Sequence, residues 1–319
     1  MMLRRSLLAT AIATPALAQA EWRPTRPINL VVPFAAGSGT DAVARVLAQM
    51  LSAELGGATI TVENRAGANG TIAAMAVARA APDGQTLMVT TNTPHAANPW
   101  LMKRIEYDPV ADFTPISRLG NYAFWLVVNS EVPARNLAEF AALARARPGQ
   151  LTYASGNGSG IVAGAAVARF TGAEMTHVPY RSVPPALTDV LAGRVNAIVV
   201  DFAPSIAHVR EGKLRALGVT SGRRSALAPD VPTLAEAGMT GFEMLSWAAL
   251  LGPARMAPDA TAALATAMQR IGARGEYRER MAQISFEGLT STPDELNAFI
   301  VSQIAAWGEM IRAAGIEPE

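Results

Sequence analysis

No cysteine occurs among the 319 residues. That excludes disulfides, thiolate nucleophiles and metal ligands, and the cysteine of a lipoprotein anchor. Histidine is nearly as scarce. His95, His177 and His208 lie far apart and form neither His-x-x-x-His nor His-Glu-x-x-His, so no metal site is expected. Lysine appears only as Lys103 and Lys213. Neither sign of charge dominates, with 27 Lys plus Arg against 26 Asp plus Glu. A chain so balanced has no electrostatic footprint for nucleic acid or an anionic membrane. The phosphate-loop pattern Gly-x-x-x-x-Gly-Lys-Ser/Thr is missing, and neither Ser38 nor Ser159 sits in a Gly-x-Ser-x-Gly elbow. Nothing requires a cofactor, and an enzyme is not expected.

What is present starts with a leader. Residues 1–20 have a basic start at Arg4-Arg5, a moderately apolar middle and small residues ending on Ala18-Gln-Ala20. That pattern predicts a cleaved signal peptide, too short for a membrane span, and Arg4-Arg5 allows either general or twin-arginine export. The mature chain is expected free in a bacterial periplasm and not lipidated. It has about 300 residues, and half of the full sequence is hydrophobic, a length that favours two lobes.

The organising stretch is Asn29-Leu-Val-Val-Pro-Phe-Ala-Ala-Gly-Ser-Gly-Thr-Asp-Ala-Val-Ala-Arg-Val-Leu47. Leu30 to Val32 reads as a buried strand, Ala35 to Thr40 as a small-residue loop, and Ala42, Val43, Val46 and Leu47 as one helical stripe. Thr40 or Asp41 is predicted to cap that helix. A strand, a loop and a helix N-terminus in that order aim backbone N–H groups and a positive dipole end at an anion. A competing reading takes Gly37-Ser-Gly39-Thr-Asp-Ala42 as a dinucleotide fingerprint with Glu63 as its ribose acid. Against it, Pro33 to Ala36 separate the strand from the glycines.

The pattern repeats along the chain. Thr59 to Val62, Thr86 to Thr90, Phe124 to Asn129, Leu151 to Ser155, Met175 to Arg181, Asn196 to Asp201 and Lys213 to Thr220 read as strands. Helices are predicted over residues 71–80, 133–147, 161–170, 185–192 and 206–211. Between them lie polar loops at Asn64 to Gly70, Thr91 to Asn98 and Gly156 to Gly160. Asp108 to Phe113 reads as a turn and short helix. In open α/β sheets ligands bind beyond the C-terminal strand ends, where these loops fall. His95 reads as a structural hydrogen-bonding residue. Asp201 either meets a ligand hydroxyl or amine or caps the next helix, and Arg181 either faces a distal ligand acid or solvent.

Many ordered segments resemble the periplasmic solute-binding proteins of tripartite tricarboxylate transporters, the Bug family. They include Asn29 to Arg45, Val62-Glu-Asn-Arg-Ala-Gly-Ala-Asn-Gly70, Ala80-Ala-Pro-Asp-Gly84, Tyr107-Asp-Pro-Val-Ala-Asp-Phe113, Pro148 to Ser155, Pro185 to Gly193 and Asp230-Val-Pro-Thr-Leu-Ala-Glu-Ala-Gly238. The resemblance implies an α/β, two-lobed periplasmic-binding-protein (type II-like) fold with a hinged interlobe cleft. Lobe 1 would span 21–122 plus 245–319 with C-terminal helices, and lobe 2 would span 123–244. It implies capture of a small carboxylate (a di- or tricarboxylate, an amino acid or an aromatic acid) for delivery to membrane permease subunits, by a monomer. Mapped onto matching positions, the ligand contacts are Phe34, Ser38, Gly39 and Thr40, then Ala68, Asn69 and Asn92, and across the cleft Ser155, Asn157, Gly158, Ser159 and Asp201. Departures are Ala36 and Ser38 in the first loop, where Ser38 adds a hydroxyl contact or narrows the site, Arg181-Ser182 after Tyr180, and Gly160-Ile161-Val162 after Ser159; the last of these points to a less polar pocket wall and an apolar or aromatic distal group. The alternatives are a secreted α/β enzyme using the Gly37 to Ala42 loop, or the ligand-binding subunit of a sensor system.

Overall fold

The computed structural model describes residues 22–319, so the leader expected over residues 1–20 lies outside the described residues. The chain opens with β1 (Ile28–Val32), α1 (Gly39–Glu54), β2 (Ile60–Asn64), α2 (Thr71–Ala78) and β3 (Thr86–Thr91), then α3 (Asn98–Leu101) and β4 (Phe113–Tyr122). A second set follows: β5 (Phe124–Asn129), α4 (Leu137–Ala146), β6 (Thr152–Ser155), α5 (Gly158–Thr171), β7 (Thr176–Pro179), α6 (Val183–Leu191), β8 (Ala197–Asp201), α7 (Phe202–Arg210) and β9 (Leu214–Val219). The chain then returns through β10 (Ser246–Pro253), α8 (Pro258–Ala273), α9 (Gly275–Gln283), β11 (Phe286–Gly288) and α10 (Pro293–Ala313).

These strands form two sheets, ordered β11-β4-β10-β3-β1-β2 and β7-β6-β8-β5-β9. β1 lies parallel between β2 and β3, which is why its Leu30, Val31 and Val32 are all buried: helices cover both faces of such a sheet. β10 runs antiparallel to both β3 and β4, with Ser246 opposite Tyr122. In the second sheet β5 runs antiparallel to β8 and β9. Only Ala123 separates β4 in one sheet from β5 in the other, so the chain crosses between sheets beside the Ser246 end of β10. Among the described residues no helix is long and apolar enough to cross a membrane.

Several elements depart from the sequence reading. β4 and β10 were not legible as strands, because Pro115 and Gly120 interrupt the first and β10 is buried at every position, without alternation. Asp108 to Phe113 forms turns and no helix, Asp108 Oδ1 accepting from the amides of Val110 and Ala111 at 2.8 Å. The polar run after β3 is not an open loop: Thr93–Ala97 winds into a buried π-turn leading to α3. His95 there is fully buried, its Nδ1 2.6 Å from Thr90 Oγ1 and its ring edge-on to Phe113, which agrees with a structural role. In α1 the buried stripe is Val43, Ala44, Leu47 and Leu51, with Ala42 and Val46 only half-buried.

The returning segment closes on α10, whose Trp307 and Ile311 are buried. Its N-terminus carries a reciprocal cap: Thr292 Oγ1 accepts from Glu295 N, and Glu295 Oε2 accepts from Thr292 N at 2.8 Å. Thr292→Ala is expected to lower stability by about 1 kcal/mol in urea denaturation, the usual loss for such a cap.

Candidate functional site

One cavity lies where the two sheets' loops meet. It is lined by Phe34, Ser38, Gly39, Thr40, Thr91, Asn92, Thr93, Tyr122, Phe124, Asn157, Ser159, Val183, Asp201 and Ser246. The N-terminal turns of α1 and α5 border it from opposite sheets. Ser38, not Thr40 or Asp41, caps α1, its Oγ accepting from Asp41 N at 3.2 Å. The helix starts at Gly39, so Thr40 and Asp41 fall in its first turn. The Asp41 carboxylate instead accepts from Gly37 N at 3.1 Å and from Asn64 Nδ2 at 3.0 Å, and pairs with Arg45. Gly37 holds a positive φ of 81°, which bends the loop so that its amide points back at Asp41. These bonds leave Gly39 and Thr40 facing the cavity. On the other side Asn157 caps α5, its Oδ1 accepting from Gly160 N at 2.8 Å.

The two sides are stitched together by polar groups. Asn92 Nδ2 donates to Ser159 Oγ at 3.0 Å, and Ser159 Oγ lies 2.5 Å from Ser246 Oγ. Gly158 N donates to Thr93 Oγ1 at 3.0 Å, and Ala35 N to Ser182 Oγ at 3.1 Å. Tyr122 donates to Thr40 Oγ1 at 3.2 Å, and burial pushes its phenol well above the usual range. The space between them is about 20 Å³, the room of one water. A ligand of several heavy atoms therefore enters by parting these cross-sheet bonds.

Asp201 ends β8 inside this cavity, 4% exposed. Burial raises its carboxyl to about 6, against the opposing pull of its own amide and that of Gly39. Among the described residues, no lysine, arginine or histidine lines the cavity. An anion here would be held by helix N-termini, backbone amides and hydroxyls, which suffice for charge-assisted hydrogen bonds.

Of the residues read from the sequence, Phe34, Ser38, Gly39, Thr40, Asn92, Asn157, Ser159 and Asp201 line the cavity together. Ala68, Asn69, Ser155 and Gly158 do not. Ala68 and Asn69 form a turn with φ near 50° whose carbonyls accept from Thr71 Oγ1 and Asn98 Nδ2. Ser155 is buried behind the wall, its Oγ 2.7 Å from His177 Nε2. Gly158 spends its amide on Thr93. Thr91, Thr93, Tyr122, Phe124, Val183 and Ser246 were missed. Tyr122, Phe124 and Ser246 flank the sheet crossing, where sequence gives the position of the chain but not its facing side.

The apolar wall also differs from expectation. Ile161 and Val162 pack into the core, and Phe34, Phe124 and Val183 supply the apolar lining instead. Arg181 is exposed and does not line the cavity. Glu63, the ribose acid of the dinucleotide reading, accepts from Asn29 Nδ2 at 2.5 Å and pairs with Arg65, away from the cavity.

The model of the tripartite tricarboxylate transporter family receptor matches residues 43–316. The chain is similar to protein BugT of Bordetella pertussis, 35% identical over 97% of this chain and 95% of that one. Among solved structures it is similar to the periplasmic binding protein BugD, with 31% identity, a TM-score of 0.88 and coverage of 93% of this chain and 100% of that one. A Rhodopseudomonas palustris protein solved with adipate is 32% identical, with a TM-score of 0.89 over 93% of this chain and 99% of that one.

Proposed function

The chain belongs to the tripartite tricarboxylate transporter receptor family, whose members are solute receptors and not enzymes, and on that premise we propose that its cavity captures a small carboxylate for a membrane transporter. The observation that carries this reading is the meeting of two helix N-termini, α1 and α5, on one cavity that no cation lines among the described residues. A carboxylate fits that seat. The two positive dipole ends and the amides of the first turns compensate its charge, while hydroxyls of Ser38, Thr40, Ser159 and Ser246 fix its position. The adipate held by the Rhodopseudomonas relative belongs to the same chemical class.

Lobe 1 is 21–122 with 245–319 and lobe 2 is 123–244, in keeping with the division of strands between the sheets. The lobes part and close about Ala123 and the return into β10, and closure traps the solute and forms the face that permease subunits meet. The receptor acts as a monomer in the periplasm, delivered there by the leader over residues 1–20. Its likeness to BugD, itself a periplasmic binding protein, supports that location.

A thermal-shift screen of the ligand-stripped mature chain against mono-, di- and tricarboxylates, aromatic acids included, tests this. A binder present at a hundredfold excess over its Kd stabilises the folded form by about 2.7 kcal/mol. Ser159→Ala, which removes a hydroxyl bonded to both Asn92 and Ser246, is expected to weaken that binder about tenfold, the value of one hydrogen bond. No shift with any acid, together with a shift from NAD, would overturn the reading.

A further inference from the structure

Asp201 is only partly used by the scaffold: its own amide and that of Gly39 act on the carboxyl, and one oxygen is left over. It occupies the N-cap position of α7, yet its side chain makes no capping hydrogen bond there. Its Oδ2 is buried, and among the described residues it has no hydrogen-bond partner and no cation paired with it. The carboxyl lies against the first turn of α1: a Cβ placed on Gly39 would come within 2.0 Å of Oδ2. An orphaned carboxylate oxygen is costly in a protein interior, and the folded chain tolerates it only where something else benefits. The oxygen borders the seat where the helix N-termini receive an anion.

We propose that Asp201 is a specificity-determining acceptor, and that the solute is a carboxylate carrying a hydrogen-bond donor, an amine or a hydroxyl, on a carbon close to that carboxylate. This rests on the carboxylate-receptor reading and narrows it. The solute's carboxylate takes the first-turn amides of α1 and α5 that Ser38, Asn157 and Thr93 leave free, and its donor reaches Oδ2, which sits beside Gly39 at the edge of the same seat. A bare acid of the same length sets a methylene against Oδ2 and leaves it unpaired. That disfavours the bare acid, since sites that pair a ligand donor reject the analogue lacking it far more strongly than apolar pockets reject a missing methylene. No lining cation among the described residues pairs Oδ2 in its place.

Calorimetric titration of the ligand-stripped mature protein with matched series tests the assignment. Suitable series are succinate, malate and aspartate; glutarate, 2-hydroxyglutarate and glutamate; and phenylacetate, mandelate and phenylglycine. In whichever series binds, a donor-bearing member is expected to bind at least tenfold more tightly than the bare acid. Asp201→Ala is expected to bring that ratio close to one. Asp201→Asn keeps an acceptor and removes the charge, so it separates the two donors: a hydroxyl preference survives it and an ammonium preference collapses. Equal or tighter binding of the bare acid by the wild-type protein overturns the assignment and leaves the carboxylate-receptor reading standing. A donor preference that persists in Asp201→Ala overturns it too. Failure of every acid in all three series overturns the assignment, and the carboxylate-receptor reading falls with it only when the wider acid screen is also flat and NAD shifts the protein.

Discussion

Gly39→Ala is expected to fold normally and to bind its carboxylate at least a hundredfold more weakly than the wild type. Gly39 opens α1 without a positive φ, so alanine suits its backbone and is the better helix former. Within lobe 1 the nearest atom to the new methyl is Tyr122 Cε1 at 3.4 Å, an ordinary contact. Across the cleft it would lie 2.0 Å from Asp201 Oδ2 and 3.0 Å from its Cγ. Asp201 has little room to retreat, being 4% exposed and fixed in register opposite Phe124. The methyl is thus tolerated by the open protein and excluded from the closed one. Raising the closed state by about 2.7 kcal/mol weakens a ligand that needs closure a hundredfold.

Gly158→Ala offers a graded companion to that substitution. Its methyl would meet Thr93 at 3.1 Å and Ala97 at 3.3 Å across the cleft, overlaps that a shift of a few tenths of an ångström relieves, so a smaller loss is expected. Calorimetry reads the affinity and urea denaturation reads the fold. Unchanged affinity in Gly39→Ala, with an unchanged midpoint, would show that ligand capture does not bring α1 against β8.

Sequence carried the anion seat further than it carried the walls. Gly37, Ser38 and Gly39 follow a short apolar strand, and small residues before a helix have few other uses, so the α1 loop was legible. Asn157 was legible for the same reason. The helix cap was misplaced by two or three residues because Ser, Thr and Asp are all competent caps, and only the three-dimensional partner of Asp41, the Gly37 amide, decides among them. Ala68 and Asn69 resembled a ligand loop in composition, but their carbonyls are engaged by Thr71 and Asn98. Tyr122, Phe124 and Ser246 were hidden for a different reason. They belong to strands that meet only because the chain crosses between sheets and returns more than a hundred residues later, a non-local pairing with no local pattern.

Asp201→Asn is expected to stabilise the closed form, with Asp201 buried against α1, at neutral pH by up to about 3 kcal/mol, and to do almost nothing near pH 4. In the folded chain burial raises the Asp201 carboxyl from 3.8 to about 6. Between those values the folded state holds a proton that the unfolded state has released, so stability falls as pH rises. Below about pH 4 both states are protonated and the contribution is fully favourable. Above about pH 6 both are ionised and the loss is complete, about two units at about 1.4 kcal/mol each. His95 works in the opposite sense over the same range. Burial lowers its imidazole from 6.5 to about 3, so the folded chain loses stability as pH falls below 6.5. The wild-type profile mixes these slopes, but the difference between wild type and Asp201→Asn isolates the carboxyl. Urea denaturation at pH 4, 5, 6 and 7.5 measures it, and a difference that stays flat across that series would refute a buried, unpaired carboxylate at this position. A growing difference would mean that the folded chain tolerates a destabilising acid in its cleft, as expected of a group kept for binding and not for stability.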